Sequence, residues 1–142
     1  DQDLETTMPG VFACGNCLQV YDSVDLLAID AKRAGKRATE YMSSQKVEKD
    51  IRKKVKQPIA QIVAGSGVRY VVPQRISKRG KVQLTLRAKK PTESPKLYVN
   101  SQDKTIFEKK LRWANPANMI KVSVPIEKAD SMETLEVTID GC

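Results

Sequence analysis

Apolar and polar positions fall into two textures along the chain. Between residues 24 and 42, Val24, Leu27, Ala28, Ala31, Ala34, Ala38, Tyr41 and Met42 recur at threes and fours. That spacing predicts one face of a helix of about five turns. The face is alanine-rich with Gly35 in its middle, so it can pack close to a sheet. Asp22 or Ser23 can cap the helix, with Asp25 acidic in the first turn. Upstream, Val11 to Cys14 is a short apolar run suited to a central parallel strand buried on both faces, ending at Gly15-Asn16. Downstream, Ser43-Ser44-Gln45 breaks the helical pattern. Val47, Ile51 and Val55 then recur at fours through a lysine-rich stretch, which fits either a narrow amphipathic helix or a solvated linker.

From Ile59 the period changes to two. Candidate strands are residues 59–63, 68–76, 81–87, 96–100, 105–111, 119–124 and 134–139. Alternation is cleanest in Val82 to Arg87, Ile120 to Val124 and Leu135 to Ile139. Turn signals separate the runs: Gly65-Ser66-Gly67, Lys78-Arg79-Gly80, Pro91 to Pro95, Ser101-Gln102-Asp103 and Asn115 to Asn118. About seven short strands, each with one apolar face, predict an antiparallel sandwich of immunoglobulin-like type. Its core should hold Leu84, Leu86, Leu97, Val99, Val122, Val124, Leu135, Val137 and Ile139. The expected organisation is α+β: a strand and helix in residues 1–42, a basic linker or short helix in 43–58, and a β-sandwich in 59–142.

Composition narrows the chemistry. Among 142 residues there is no histidine, which removes His-based triads and most zinc patterns. Three cysteines, Cys14, Cys17 and Cys142, are too few for a secreted disulfide framework, so a reducing, cytoplasmic setting is expected. No apolar run approaches a membrane span, and no signal-peptide pattern opens the chain. The acidic start leading directly into a buried-type strand suggests a segment of a longer protein. The net charge of +8 is uneven: −6 over residues 1–30, +7 over 31–56 and +7 over 57–142.

The run Thr6-Thr7-Met8-Pro9-Gly10-Val11-Phe12-Ala13-Cys14-Gly15-Asn16 resembles the last flavin-contacting segment of FAD-dependent pyridine nucleotide-disulfide oxidoreductases of the thioredoxin-reductase type. That family's pattern is Thr, a short spacer, Pro-Gly-Val-Phe/Tyr-Ala-x-Gly-Asp, then a helix. The resemblance covers residues 1–42. It implies that Gly15 permits close approach to FAD and that Asn16, where the family usually has Asp, meets the ribityl chain. Val24 and Asp25 would then offer backbone amides to the polar edge of the flavin ring. It also implies an NAD(P)-dependent, cytoplasmic enzyme. The Gly-x-Gly-x-x-Gly turns that hold FAD pyrophosphate and nicotinamide cofactor are absent, because Gly65-Ser66-Gly67 lacks the third glycine and a following helix. The expectation is therefore a C-terminal part of such an oxidoreductase, inactive and flavin-free alone, completed by the remaining FAD and NAD(P) domains. The competing reading is a β-sandwich interaction module docking a partner subunit or a redox protein; an exposed alanine-rich helix face would seek its own β domain or a second copy of the chain.

Cys14-Gly15-Asn16-Cys17 has the spacing of a redox pair. Such pairs normally sit at a helix N-terminus, where the dipole favours a thiolate. Here the helix begins about five residues past Cys17 and Cys14 falls in the expected buried strand, so two structural thiols are the preferred reading. Zinc would need two further ligands. The bases from Lys32 to Lys56 could attract nucleic acid, but only seven aromatics and no recognition motif accompany them. A solvated face and linker is preferred, and the same bases could dock an acidic surface of a partner domain. Trp113 is expected as a core or edge anchor rather than a ligand platform.

Overall fold

The computed structural model describes residues 1–45, 59–77, 79–102, 104–126 and 133–141. The chain divides into two compact units, Asp1–Gln57 and Pro58–Cys142. The expected basic linker, from residue 46 onward, lies outside the described residues, as does Cys142.

In the first unit, helix α1 spans Val24–Gln45. Its start is set by Ser23, whose Oγ accepts the Leu26 amide at 3.4 Å while its carbonyl accepts that of Leu27 at 3.3 Å. The helix runs through Ser43-Ser44-Gln45, which the sequence pattern reads as a break. Ser43 and Ser44 turn their hydroxyls back onto the Thr39 and Tyr41 carbonyls, so their polar groups are satisfied without ending the helix. Ala34 is buried, while Val24 and Met42, at the ends of the predicted apolar face, are exposed.

The buried parallel strand expected at Val11 to Cys14 does not form. Val11 is 45% exposed, and residues 12–14 are only partly buried. Instead residues 4–6 and 11–13 make a tight antiparallel hairpin. Thr6 donates to the Val11 carbonyl at 2.8 Å, Ala13 donates to the Leu4 carbonyl at 2.9 Å, and Glu5 bridges Phe12. The physical reason is pairing. A strand needs a neighbour for its N–H and C=O groups, and the partner among residues 1–45 is the segment just before it.

Among its described residues the second unit holds ten strands: β1 Ala60–Ala64, β2 Val68–Val72, β3 Arg75–Ile76, β4 Gly80–Ala88, β5 Thr92–Glu93, β6 Lys96–Ser101, β7 Lys104–Lys110, β8 Trp113–Ala114, β9 Ile120–Ile126 and β10 Glu133–Ile139. They form a five-stranded sheet β3-β1-β10-β6-β7, a three-stranded sheet β2-β4-β9 and the pair β5-β8. The molecule is thus mixed α+β and mostly β. Side chains from both larger sheets share one buried cluster, to which every core residue predicted from alternation belongs. The predicted 68–76 strand divides at Pro73, which has no N–H to give to a ladder. The sheet is not wholly antiparallel either. β1 runs parallel to β10, with Ile62 opposite Leu135, whereas β6 meets β10 antiparallel, with Val99 opposite Val137.

β4 carries the one buried guanidinium among the described residues. Arg87, 6% exposed, donates from Nε to the Tyr70 hydroxyl at 3.0 Å and from Nη1 to the Pro116 carbonyl at 3.1 Å. A charge so placed ties β2 and the loop before β9 to β4. Trp113 is 45% exposed on β8, where it sits opposite Glu93 at an edge and not in the core.

Candidate functional site

The sequence motif becomes a turn held against a helix. Cys14 is extended (φ −148°, ψ 171°), Gly15 takes φ +74°, and Gly15–Cys17 forms a single 3-10 turn. The Gly15 carbonyl accepts two amides, Leu18 at 2.9 Å and Gln19 at 3.3 Å. A side chain at Gly15 would meet no atom within 4 Å, so the requirement for glycine is the left-handed backbone and open space lies over its Cα. Asn16 and Cys17 are exposed, and the Cys17 thiol donates to the Cys14 carbonyl at 2.9 Å.

Several interactions seat this segment on α1. Phe12 meets the Tyr41 ring edge-on at a centroid distance of 6.2 Å. Gly10, at φ +78°, packs its Cα under the same ring, where an added Cβ would stand 2.7 Å from Tyr41 Cε1. Asp3 pairs with Arg37 at 3.0 Å. Tyr21 donates its hydroxyl to Asp30 Oδ2 at 2.7 Å, and Asp30 Oδ1 also pairs with Arg33 at 3.3 Å.

The Tyr21 phenol has a strongly altered ionisation. Burial pushes its pKa up to about 12, the Asp30 hydrogen bond and charge add to this, and the Gln19 side chain opposes it. Gln19 itself is 7% exposed, and its Oε1 is a buried acceptor with no partner. Arg37 is also raised, chiefly through its hydrogen bond to Glu40 and then by the Asp3 charge.

Of the residues singled out from sequence, Cys14, Gly15, Asn16 and Cys17 lie on one turn packed against α1, and Val24 and Asp25 open that helix. Val24 is 79% exposed, and helix geometry leaves the Val24 and Asp25 amides without intrahelical acceptors. The arrangement offers hydrogen bonds from an exposed amide side chain and from a helix N-terminus to an electron-rich ligand. Sequence reasoning passed over Gln19, Tyr21, Asp30 and Arg33. The Asp30–Arg33 spacing of three on a helix was a usable signal. The approach of Tyr21 to Asp30 depends on the path of the connector, which has no periodicity to read.

Among the described residues no group of three or more His, Cys, Asp or Glu side chains is placed to hold a metal ion, and no helix is long and apolar enough to cross a membrane. Comparison with protein-family models, with curated proteins and with solved structures returned no match.

Proposed function

We propose that residues 1–42 form one wall of a flavin site in an FAD- and NAD(P)-dependent oxidoreductase, with the β unit as an accessory domain of immunoglobulin-like sandwich type. The observation that carries this reading is Gly15: a left-handed glycine with open space over its Cα, immediately before an exposed Asn16. The residues present fit the group. Asn16 can both donate to and accept from the hydroxyls of a ribityl chain. The Val24 and Asp25 amides, at the positive end of α1, suit a ring edge that gains negative charge on reduction. Bound FAD would supply hydride acceptance from nicotinamide; this chain's part is to position it and stabilise that charge.

The sequence carries no pyrophosphate-binding glycine turn, so the remaining walls would come from dinucleotide-binding domains outside these residues. On this reading the chain alone retains no FAD, and the whole enzyme works in a reducing compartment. Purification of the complete protein to which these residues belong tests the proposal. It should be yellow, with flavin absorbance that co-elutes with the polypeptide; a colourless protein would overturn the reading.

A second reading, docking of a partner by the β unit, draws on β7. This edge strand of the five-stranded sheet is exposed at every residue but Phe107 and carries Lys104, Lys109 and Lys110. Its lysines guard the edge against self-pairing and favour an acidic partner.

A further inference from the structure

The sequence argument against Cys14 and Cys17 as a pair has two premises: α1 does begin well past Cys17, at Val24, but Cys14 does not lie inside a buried strand. Cys14 is partly buried at the start of a turn, Cys17 is exposed at its end, and both are free thiols. A turn of this kind brings residues three apart to within roughly 7 Å between Cα atoms, and disulfides span about 4.4–6.8 Å. The Cys17 side chain is already directed at the Cys14 backbone. The Cys17 Sγ lies 2.9 Å from the Cys14 carbonyl oxygen. A carbonyl oxygen sits about 2.4 Å from its own Cα, so the Cys17 sulfur is within about 5.3 Å of the Cys14 Cα. The two residues between them present no obstacle. Gly15 has open space over its Cα, and Asn16 is exposed, so small backbone adjustments displace nothing.

From this geometry we infer that Cys14 and Cys17 are a reversible dithiol–disulfide pair, oxidised by small-molecule disulfides of the glutathione class. Cys17, the exposed thiol, attacks as its thiolate and forms a mixed disulfide, releasing one glutathione thiol. The Cys14 thiolate then attacks the Cys17 sulfur and releases the second. The protein loses two protons and two electrons, and the oxidised glutathione is reduced to two thiols. Oxidation replaces the Cys17 thiol's hydrogen bond to the Cys14 carbonyl by a covalent bond and so fixes the Gly15-Asn16 turn. No flavin enters this chemistry, so the inference stands apart from the function proposed above.

The test uses the whole chain with Cys142→Ser, equilibrated in glutathione redox buffer, trapped with maleimide and weighed by mass spectrometry. The expected species takes up no maleimide and is lighter by two hydrogens, with Cys14 and Cys17 in one disulfide-linked peptide. Its equilibrium constant should be severalfold larger in the native chain than in the same chain unfolded in urea, because the turn preorganises the thiols. Equal constants in the two states, or glutathione adducts on both cysteines without an internal bond, would overturn the inference. A further Cys14→Ser substitution should leave Cys17 as a stable glutathione adduct. Failure of Cys17 to react would overturn its assignment as the attacking thiol.

Discussion

Gly10 shows how one backbone angle fixes the seat of the candidate site. Its φ of +78° is one L-residues rarely adopt, and the Tyr41 ring fills the place a Cβ would need. Gly10→Ala should therefore destabilise the N-terminal unit by about 1–3 kcal/mol, read from the urea midpoint of that unit's helical signal. Tyr21 makes a prediction about pH. Its pKa stands at about 12 when folded, against an ordinary value near 10, so folding favours the protonated phenol. The resulting stability is fully present below pH 10 and is lost as pH rises from 10 through about 12. In a spectrophotometric titration Tyr21 should ionise late, and Tyr21→Phe should remove one equivalent of that late step. A titration curve that Tyr21→Phe leaves unchanged above pH 10 would contradict it. Neither feature was legible in the sequence. Pro9-Gly10 enters the sequence reading only as part of the flavoprotein-like motif, and Tyr21 sits in a connector where contacts are set by the chain's path.

At the scale of elements, periodicity carried most of the information. The alternation read in Ile120 to Val124 is the alternation observed, with every second residue of β9 buried. Leu84→Ala should cost about 2–5 kcal/mol, because Leu84 is completely buried between two strands of its sheet. Helix α1 was legible for the same reason, and so was its cap. Ser23→Ala should cost about 0.5–1 kcal/mol, toward the low end of cap effects because the bond is long at 3.4 Å. Strand direction was not legible, since alternation is the same for parallel and antiparallel neighbours. Nothing in Ala60-Gln61-Ile62-Val63 announces that β1 lies parallel to a strand more than 70 residues later. The short β5 and β8 were also missed, because two residues cannot display a period. The run at Val11 to Cys14 misled in the opposite way: its apolar composition suits a buried strand, but burial needs flanking strands that residues 1–45 do not supply.

On the scale of the whole molecule, the division into two units separates folding from proposed chemistry. The large apolar cluster lies entirely within the β unit, while the candidate flavin-facing residues lie entirely within the N-terminal unit. The β unit produced from residue 58 onward should accordingly unfold in one cooperative transition, monitored by the fluorescence of its single tryptophan. A non-cooperative, molten response would show that its core needs residues 1–57. Substitutions in the Gly15-Asn16 turn should leave that transition unmoved.

The proposed hold of Asn16 and the α1 N-terminus on a flavin is read from the FAD dissociation constant of the complete protein with two substitutions. Asn16→Leu removes the polyol partner from an exposed position. Val24→Pro deletes one helix-terminal amide at a position where proline is compatible with the helix. Each should weaken FAD retention by roughly tenfold, as expected for a lost hydrogen bond of about 1.4 kcal/mol, with the helical and tryptophan unfolding transitions unchanged. FAD affinity equal to that of the unsubstituted protein in both variants would contradict the account.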